Sequence, residues 1–214
     1  MKLVVNNISK SIKGKSILAN VSLEMEQGRV YGFVGRNGSG KTMLFRALSG
    51  LMNVDSGEII WDGKQLHKDF SVLPELGIVL ENAGLYPNLT GLENLMYLAS
   101  FRNKIGKSEI VEAIQRVGLE PEDKRVFGKY SLEMKQRLVI AQAIMECPDI
   151  IMLDEPTNGL DEGGVEQIRG IIKQEKDRGA LILLASHNKE DMRILADELY
   201  SVTNGRIEKM EELL

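Results

Sequence analysis

A single cysteine, Cys147, stands in the 214-residue chain, so no internal disulfide can form and a reducing, cytoplasmic setting is the simple expectation. It falls between a helical run and a strand, where a buried, inert thiol is expected rather than a nucleophile. Long apolar runs are missing as well. No window is long enough to span a bilayer, and the opening Met1-Lys2-Leu3-Val4-Val5 runs straight into polar Asn6 and Asn7, unlike a signal peptide. Any membrane role is therefore expected to come through a partner. Nor is there an excess of positive charge: 27 Lys and Arg against 31 Asp and Glu leave a net charge of -4, which argues against a broad basic surface for nucleic acid. Low-complexity tracts, internal repeats and metal-ligand clusters do not stand out; His67 sits in polar loop sequence, and Trp61 and the ten methionines read as packing or scattered surface. What is present, 43% hydrophobic and 27% charged residues, is ordinary for a soluble globular protein of one large domain, or of a core domain carrying a subdomain.

Against that plain background one stretch stands out. Gly35-Arg36-Asn37-Gly38-Ser39-Gly40-Lys41-Thr42 has the spacing G-x-x-x-x-G-K-[ST] of a phosphate-binding loop. An apolar, β-favouring run (Val30, Tyr31, Phe33, Val34) precedes it and a helical pattern (Leu44, Phe45, Leu48) follows, which is the context the mechanism requires. Glycines let the backbone curl so that successive N–H groups face phosphate oxygens, and the helix start adds the positive end of its dipole. Lys41 is expected to reach the β- and γ-phosphates and the Thr42 hydroxyl to hold Mg²⁺. A nucleoside triphosphate is the expected ligand.

The rest of the chain arranges itself around this loop. Leu3 to Ile8 and Ile17 to Met25 read as antiparallel strands, Asp55-Ser56-Gly57 as a turn, Glu58 to Trp61 as a strand and Leu76 to Leu80 as a short buried one. From Leu92 to Gly118 the pattern is helical, opened by a cap in Asn88-Leu89-Thr90, and Ser131 is a natural N-cap for a helix from Leu132 to Met145. Ile150 to Leu153 and Leu181 to Ala185 are continuous apolar runs of the kind found in parallel sheets, with a helix from Val165 to Lys176 between them. A mainly helical insertion, about residues 84 to 145, thus interrupts an α/β core.

The first of those apolar runs ends in Asp154-Glu155, at the carboxyl edge where open α/β sheets place ligands. Asp154 is expected to support Mg²⁺ and Glu155 to orient or deprotonate the attacking water; an acidic strand end that merely caps a helix is the alternative. Ser186-His187 follows the second run directly and should emerge at the same edge, where an imidazole can sense the γ-phosphate and polarise the water.

The order of these pieces resembles the ATP-binding subunit of the ABC transporter family, over nearly the whole chain from Ile8 to Ile207. The matching segments are Gly35 to Thr42, Tyr130-Ser131-Leu132-Glu133-Met134-Lys135-Gln136-Arg137, Ile150 to Glu155, Asn158-Gly159-Leu160-Asp161, and Ser186-His187. The resemblance implies an α/β fold: a P-loop NTPase core of ABC type with an antiparallel β subdomain (residues 1–83 and 146–214) and a helical subdomain (84–145) inserted between the phosphate loop and the Asp-Glu strand. It implies ATP and Mg²⁺ as ligands and a head-to-tail dimer, of identical chains or with another ABC ATPase subunit. Ser131 would then act on the opposite subunit's ATP, and Asn158 to Asp161 would cross the interface. It further implies an integral membrane permease as partner, no nucleic acid, and a cytoplasmic position at the inner face of the membrane.

Three departures from the family pattern carry information. The usual signature Leu-Ser-Gly-Gly-Gln survives only in Ser131, with Leu132 and Glu133 at the glycine positions. Either Glu133 repels the triphosphate, so that Glu133→Gly raises turnover, or it faces solvent in the first helical turn. Glu81 stands where most relatives carry glutamine, within a segment through Thr90 that looks like the version in exporters of lantibiotics, bacitracin and related peptides. As a hard oxygen ligand it could hold Mg²⁺ and alter coupling, or be an exposed loop residue. Ile12, within Lys10 to Gly14, takes the place of an adenine-stacking aromatic, which predicts weak selection of ATP over GTP. The expected function is ATP binding and hydrolysis that powers transport, in the export direction, by a separate membrane subunit. A soluble ABC ATPase without a transporter, and a nucleotide-binding partner with little turnover, are the alternatives.

Overall fold

The computed structural model describes residues 1–80 and 84–211. In chain order the strands and helices are β1 (Lys2–Ile12), β2 (Lys15–Glu26), β3 (Val30–Val34), α1 (Lys41–Ser49), β4 (Ser56–Trp61), β5 (Lys64–Gln65), β6 (Leu76–Val79), α2 (Gly91–Arg102), α3 (Lys107–Arg116), α4 (Leu132–Ile144), β7 (Ile150–Asp154), α5 (Glu162–Asp177), β8 (Leu181–Ala185), α6 (Lys189–Leu195), β9 (Glu198–Thr203) and β10 (Arg206–Met210). They form a 6-stranded sheet of order β10-β9-β3-β8-β7-β6 and a 4-stranded sheet of order β2-β1-β4-β5. Within the larger sheet β6, β7, β8, β3 and β9 run parallel, and β10 returns antiparallel along β9. The smaller sheet is antiparallel throughout.

Strand side chains alternate between faces, and this sheet spends both. Ile150 and Met152 of β7, with Leu181 and Leu183 of β8, pack against α1 and the antiparallel sheet through Phe45, Leu48, Ile8 and Met25. Ile151 and Leu153, with Ile182 and Leu184, face a second cluster that holds Leu95, Ile110, Ile114, Leu138 and Ile168 of α2 to α5. The helices between residues 84 and 145 therefore share one core with the sheet. Burial on both faces is why Ile150 to Leu153 of β7 and the whole of β8 are unbroken apolar runs.

The structure differs from sequence expectation in places with identifiable causes. Ser56 and Gly57 open β4 instead of forming a turn, because the Asp55 carboxylate takes Lys10 Nζ at 2.6 Å and the Ser11 amide at 2.7 Å, locking the segment onto β1. Gly57 has φ 83°, and a Cβ there would lie 2.4 Å from the Asn6 carbonyl oxygen, so glycine is required. Helix α5 starts at Glu162 instead of Val165; Gly163 and Gly164 obscure an N-terminus that Asp161 caps by accepting from the Gly164 amide at 2.7 Å. Cys147 is exposed rather than buried, in a left-handed backbone turn (φ 49°) between α4 and β7.

Candidate functional site

The carboxyl edge of the parallel strands gathers most of the sequence-derived site residues. Strand β3 delivers the chain into Gly35–Gly40, which wraps into α1; Gly40, at φ 117°, is the N-cap, and its carbonyl accepts from the Leu44 amide at 2.8 Å. Gly35 has no room for a side chain, since a Cβ would lie 2.4 Å from the Val202 carbonyl oxygen and 2.5 Å from Ser39 Oγ. Arg36 and Asn37 are exposed, and Asn37 and Gly38 line the cavity described below.

Lys41 is only 6% exposed, and its ammonium has turned back onto its own loop, donating to the Gly35 carbonyl at 2.7 Å and the Arg36 carbonyl at 3.5 Å. It also lies 3.9 Å from Glu155 Oε1. Ser39 Oγ is buried and has no hydrogen-bond partner. A buried cation and an orphaned hydroxyl inside a curl of backbone amides suit a polyanion, whose oxygens would satisfy both. Thr42 Oγ1 donates to Asp154 Oδ2 across the floor of the site. A hydroxyl and a carboxylate converging there are hard oxygen donors of the kind Mg²⁺ accepts alongside phosphate oxygens, so these residues fit that ion.

At the end of β7, Glu155 takes a left-handed backbone conformation, φ 52°, uncommon for a residue with a side chain. Its amide donates to the Ala185 carbonyl at 2.8 Å, which ties it to the end of β8. Its carboxylate then meets Ser186-His187: Oε2 lies 2.8 Å from His187 Nδ1 and 3.2 Å from Ser186 Oγ, and Oε1 accepts from the His187 amide at 3.1 Å. An ionised carboxylate only accepts, so in this pair Nδ1 carries the proton.

A cavity of about 540 Å³ opens in front of these groups, lined by Asn37 to Met43, Asp154 and Glu155. Its remaining wall, made by Lys15, Ser16, Ile17, Asn204 and Gly205, was missed from sequence. The Asn204-Gly205 turn joins β9 to β10, and the Gly205 amide donates to the Ser39 carbonyl at 3.0 Å. Asn-Gly signals a hairpin in sequence, but nothing local says that the hairpin touches the phosphate loop. Ile12 is not among the lining residues: it is exposed at the end of β1, and the apolar wall is Ile17. Glu81 lies outside the described residues.

Ser131 does not line this cavity. It caps α4, its hydroxyl accepting from the Met134 amide at 3.1 Å, and Leu132 beside it is 72% exposed. Glu133 folds back along α4, accepting from Arg137 Nε at 2.9 Å and Nη2 at 2.7 Å.

A glycine-rich loop between a parallel strand and a helix, with an Asp-Glu pair and a histidine on the next strands, defines a P-loop nucleoside triphosphatase. A helical segment inserted between the loop and the Asp-Glu strand narrows the class further. The family model described as "ABC transporter" matches residues 18–158. The uncharacterized ABC transporter ATP-binding protein YybJ of Bacillus subtilis (strain 168) is 46% identical over 210 residues, which is 98% of this chain and 96% of that protein. The lantibiotic transport ATP-binding protein SrtF of Streptococcus pyogenes is 36% identical over 96% of this chain and 88% of its own. Among solved structures, the dimeric structure of MJ0796, a bacterial ABC transporter cassette, superposes with a TM-score of 0.86 at 23% identity, covering 99% of this chain and 100% of that one. The chain belongs to the ABC transporter family. It is an ATPase, with ATP and Mg²⁺ as its ligands.

Proposed function

We propose that the chain is the ATP-hydrolysing subunit of an exporter whose membrane-crossing part is a separate protein. The observation that carries this reading is the convergence of the phosphate loop, Asp154 and Glu155 on one cavity, with His187 held against the Glu155 carboxylate. Among the described residues no helix is long and apolar enough to cross a membrane. Likeness to a lantibiotic transport subunit supports export of a peptide. The likeness to a dimeric cassette supports action as a pair, of identical chains or of relatives; the pair would work at the inner face of the membrane, against its permease.

In this reading the loop amides from Gly35 to Gly40 bind phosphate oxygens, and Lys41 exchanges its two carbonyl partners for the β- and γ-phosphates. Thr42 and Asp154 hold Mg²⁺, which when bound neutralises phosphate charge in the transition state; Glu81, in the segment before α2, is a further candidate ligand. Glu155 accepts a hydrogen bond from the attacking water and takes its proton, and the His187 Nδ1–H holds that carboxylate in place. The other ring nitrogen of His187 is left to face the γ-phosphate. Ser131 and the start of α4 serve the ATP held by the opposite subunit. Ile12 contributes at most apolar contact to the base.

Purification of the tagged chain from detergent-solubilised membranes tests the assignment. A multi-spanning membrane protein should co-purify in fixed stoichiometry, and a cationic peptide should stimulate ATP hydrolysis by the complex. Recovery of the chain alone, with ATPase indifferent to peptide, would overturn it.

A further inference from the structure

Glu155 keeps its uncommon left-handed backbone only because its surroundings determine it. Besides the backbone bonds of Glu155 to Ala185 and Asn158, two side chains outside the cavity hold this turn, one on each side. From α4, Gln136 Nε2 donates to the Glu155 carbonyl at 3.2 Å and to the Pro156 carbonyl at 3.1 Å. From the other side, Thr157 Oγ1 donates to Asp191 Oδ2 at 2.5 Å, with Thr157 8% and Asp191 1% exposed.

Asp191 is itself anchored. Arg169 of α5, 5% exposed, meets Asp191 Oδ1 through Nε at 2.8 Å and Nη2 at 2.7 Å. The same guanidinium reaches Glu166 at 2.5 Å and Glu190 at 3.4 Å. Asp191 lies in α6, whose cap Asn188 directly follows His187 and accepts from the Asp191 amide at 3.3 Å. One buried carboxylate therefore bears both on the turn after Glu155 and on the helix after His187. Burying an ion pair this deeply contributes little net stability. Its two members do not line the cavity. What the network does supply is placement.

We propose that Gln136 and Thr157 are positioning residues for Glu155, clamping its turn between the signature helix α4 and the Asp191–Arg169 pair so that the carboxylate faces His187 and the attacking water. The proposal rests on the reading of Glu155 as the group that serves the water. Release of either clamp lets the turn relax, and the carboxylate leaves its line with the γ-phosphate while the phosphate loop stays intact.

Steady-state ATPase and Mg·ATP calorimetry on the full chain test this. Thr157→Val keeps the side-chain shape and removes only the hydroxyl, leaving Asp191 paired with Arg169; Gln136→Leu removes the amide donor from the other side. Each should lower kcat about ten-fold, because small misplacements of a catalytic group are costly, while KM and ATP affinity stay within about two-fold. Thr157→Ser, which restores the hydroxyl, should return kcat to the wild-type value. Wild-type kcat in both variants overturns the proposal, as does a parallel loss of ATP affinity and kcat. Glu155→Gln in the same assay separates the two levels: if it hydrolyses ATP normally, the role of Glu155 itself is wrong. If it is inactive while Thr157→Val and Gln136→Leu are unaffected, only the clamp is.

Discussion

Glu133 stands where the family pattern has glycine, beside the residue that would address a partner's triphosphate. Repulsion needs an uncompensated charge, and both guanidinium contacts of Arg137 fall on the same Glu133 oxygen one helical turn away. Arg137 is held in turn by the Val117 carbonyl at 2.8 Å and Gln167 Oε1 at 2.5 Å, so the pair is braced from a second side. The geometry counts against repulsion, although Glu133 is half-buried against Arg137 and not open to solvent. Glu133→Gly should cost about 1 kcal/mol in denaturant unfolding, from lost helix propensity and a lost i,i+4 pair, and should leave turnover in the assembled complex within about two-fold. A ten-fold faster enzyme would show that the carboxylate does repel the triphosphate. At this scale the sequence shows what the chemistry demands by residue type: Lys41, Thr42, Asp154 and Glu155 are legible because their spacing is dictated by phosphate and metal. The role of Gln136, although it stands in the signature segment, and Asp191 altogether are not, since neither a donor to a backbone carbonyl nor a pair with an arginine in another helix sets a spacing in the chain.

At the scale of elements, legibility tracks burial. Strands β7, up to Leu153, and β8 are apolar at every position because both faces are covered, and α4 announces itself through Ser131. By contrast α6 has only 7 residues, and β10 is exposed or half-buried throughout, so neither carries a periodicity. The segment before α2 shows how a loop is built from one side chain. Asn94 is fully buried; its oxygen accepts from the Tyr86 amide at 2.7 Å, and its nitrogen donates to the carbonyls of Tyr86, Leu89 and Thr90 at 3.0, 3.3 and 2.9 Å. Thr90 then starts α2 through a reciprocal capping box with Glu93. Asn94→Ala would leave the Tyr86 amide without its acceptor, while the carbonyls of Tyr86, Leu89 and Thr90 each keep a backbone donor, and should destabilise the protein by about 2 kcal/mol, read as a shift in urea midpoint. A loss below about 0.5 kcal/mol would mean that water replaces the side chain easily.

For the whole molecule, a seam of charge runs across the larger sheet, joining β9, β10 and the residue that leads into β3. Glu198 of β9 takes Lys209 at 2.7 Å and Arg29 at 2.8 Å and accepts from the Tyr200 hydroxyl at 3.1 Å. The Lys209 hydrogen bond, against the opposing effect of burial, holds the Glu198 carboxyl below its ordinary 4.5. A lowered carboxyl contributes stability that is present above its unfolded value and lost as pH falls through the folded one, so the thermal midpoint should drop below about pH 4.5, less so in Glu198→Gln. Burial, helped by the Glu198 charge, pushes the Tyr200 phenol from 10.0 up to about 12. Its contribution is intact below the unfolded value and fades as pH climbs toward the folded one, so alkaline unfolding should set in above about pH 10 and be eased by Tyr200→Phe.

Fold and seam serve one purpose, holding a curl of amides and a buried lysine opposite an Asp-Glu strand end. Calorimetric titration of Mg·ATP tests that arrangement most directly, in the wild type, in Lys41→Met and in Glu155→Gln. Saturable heat in the wild type and in Glu155→Gln, absent from Lys41→Met, with turnover lost in both variants, is the predicted result. Binding of equal strength in Lys41→Met, or undiminished hydrolysis in Glu155→Gln, would contradict it.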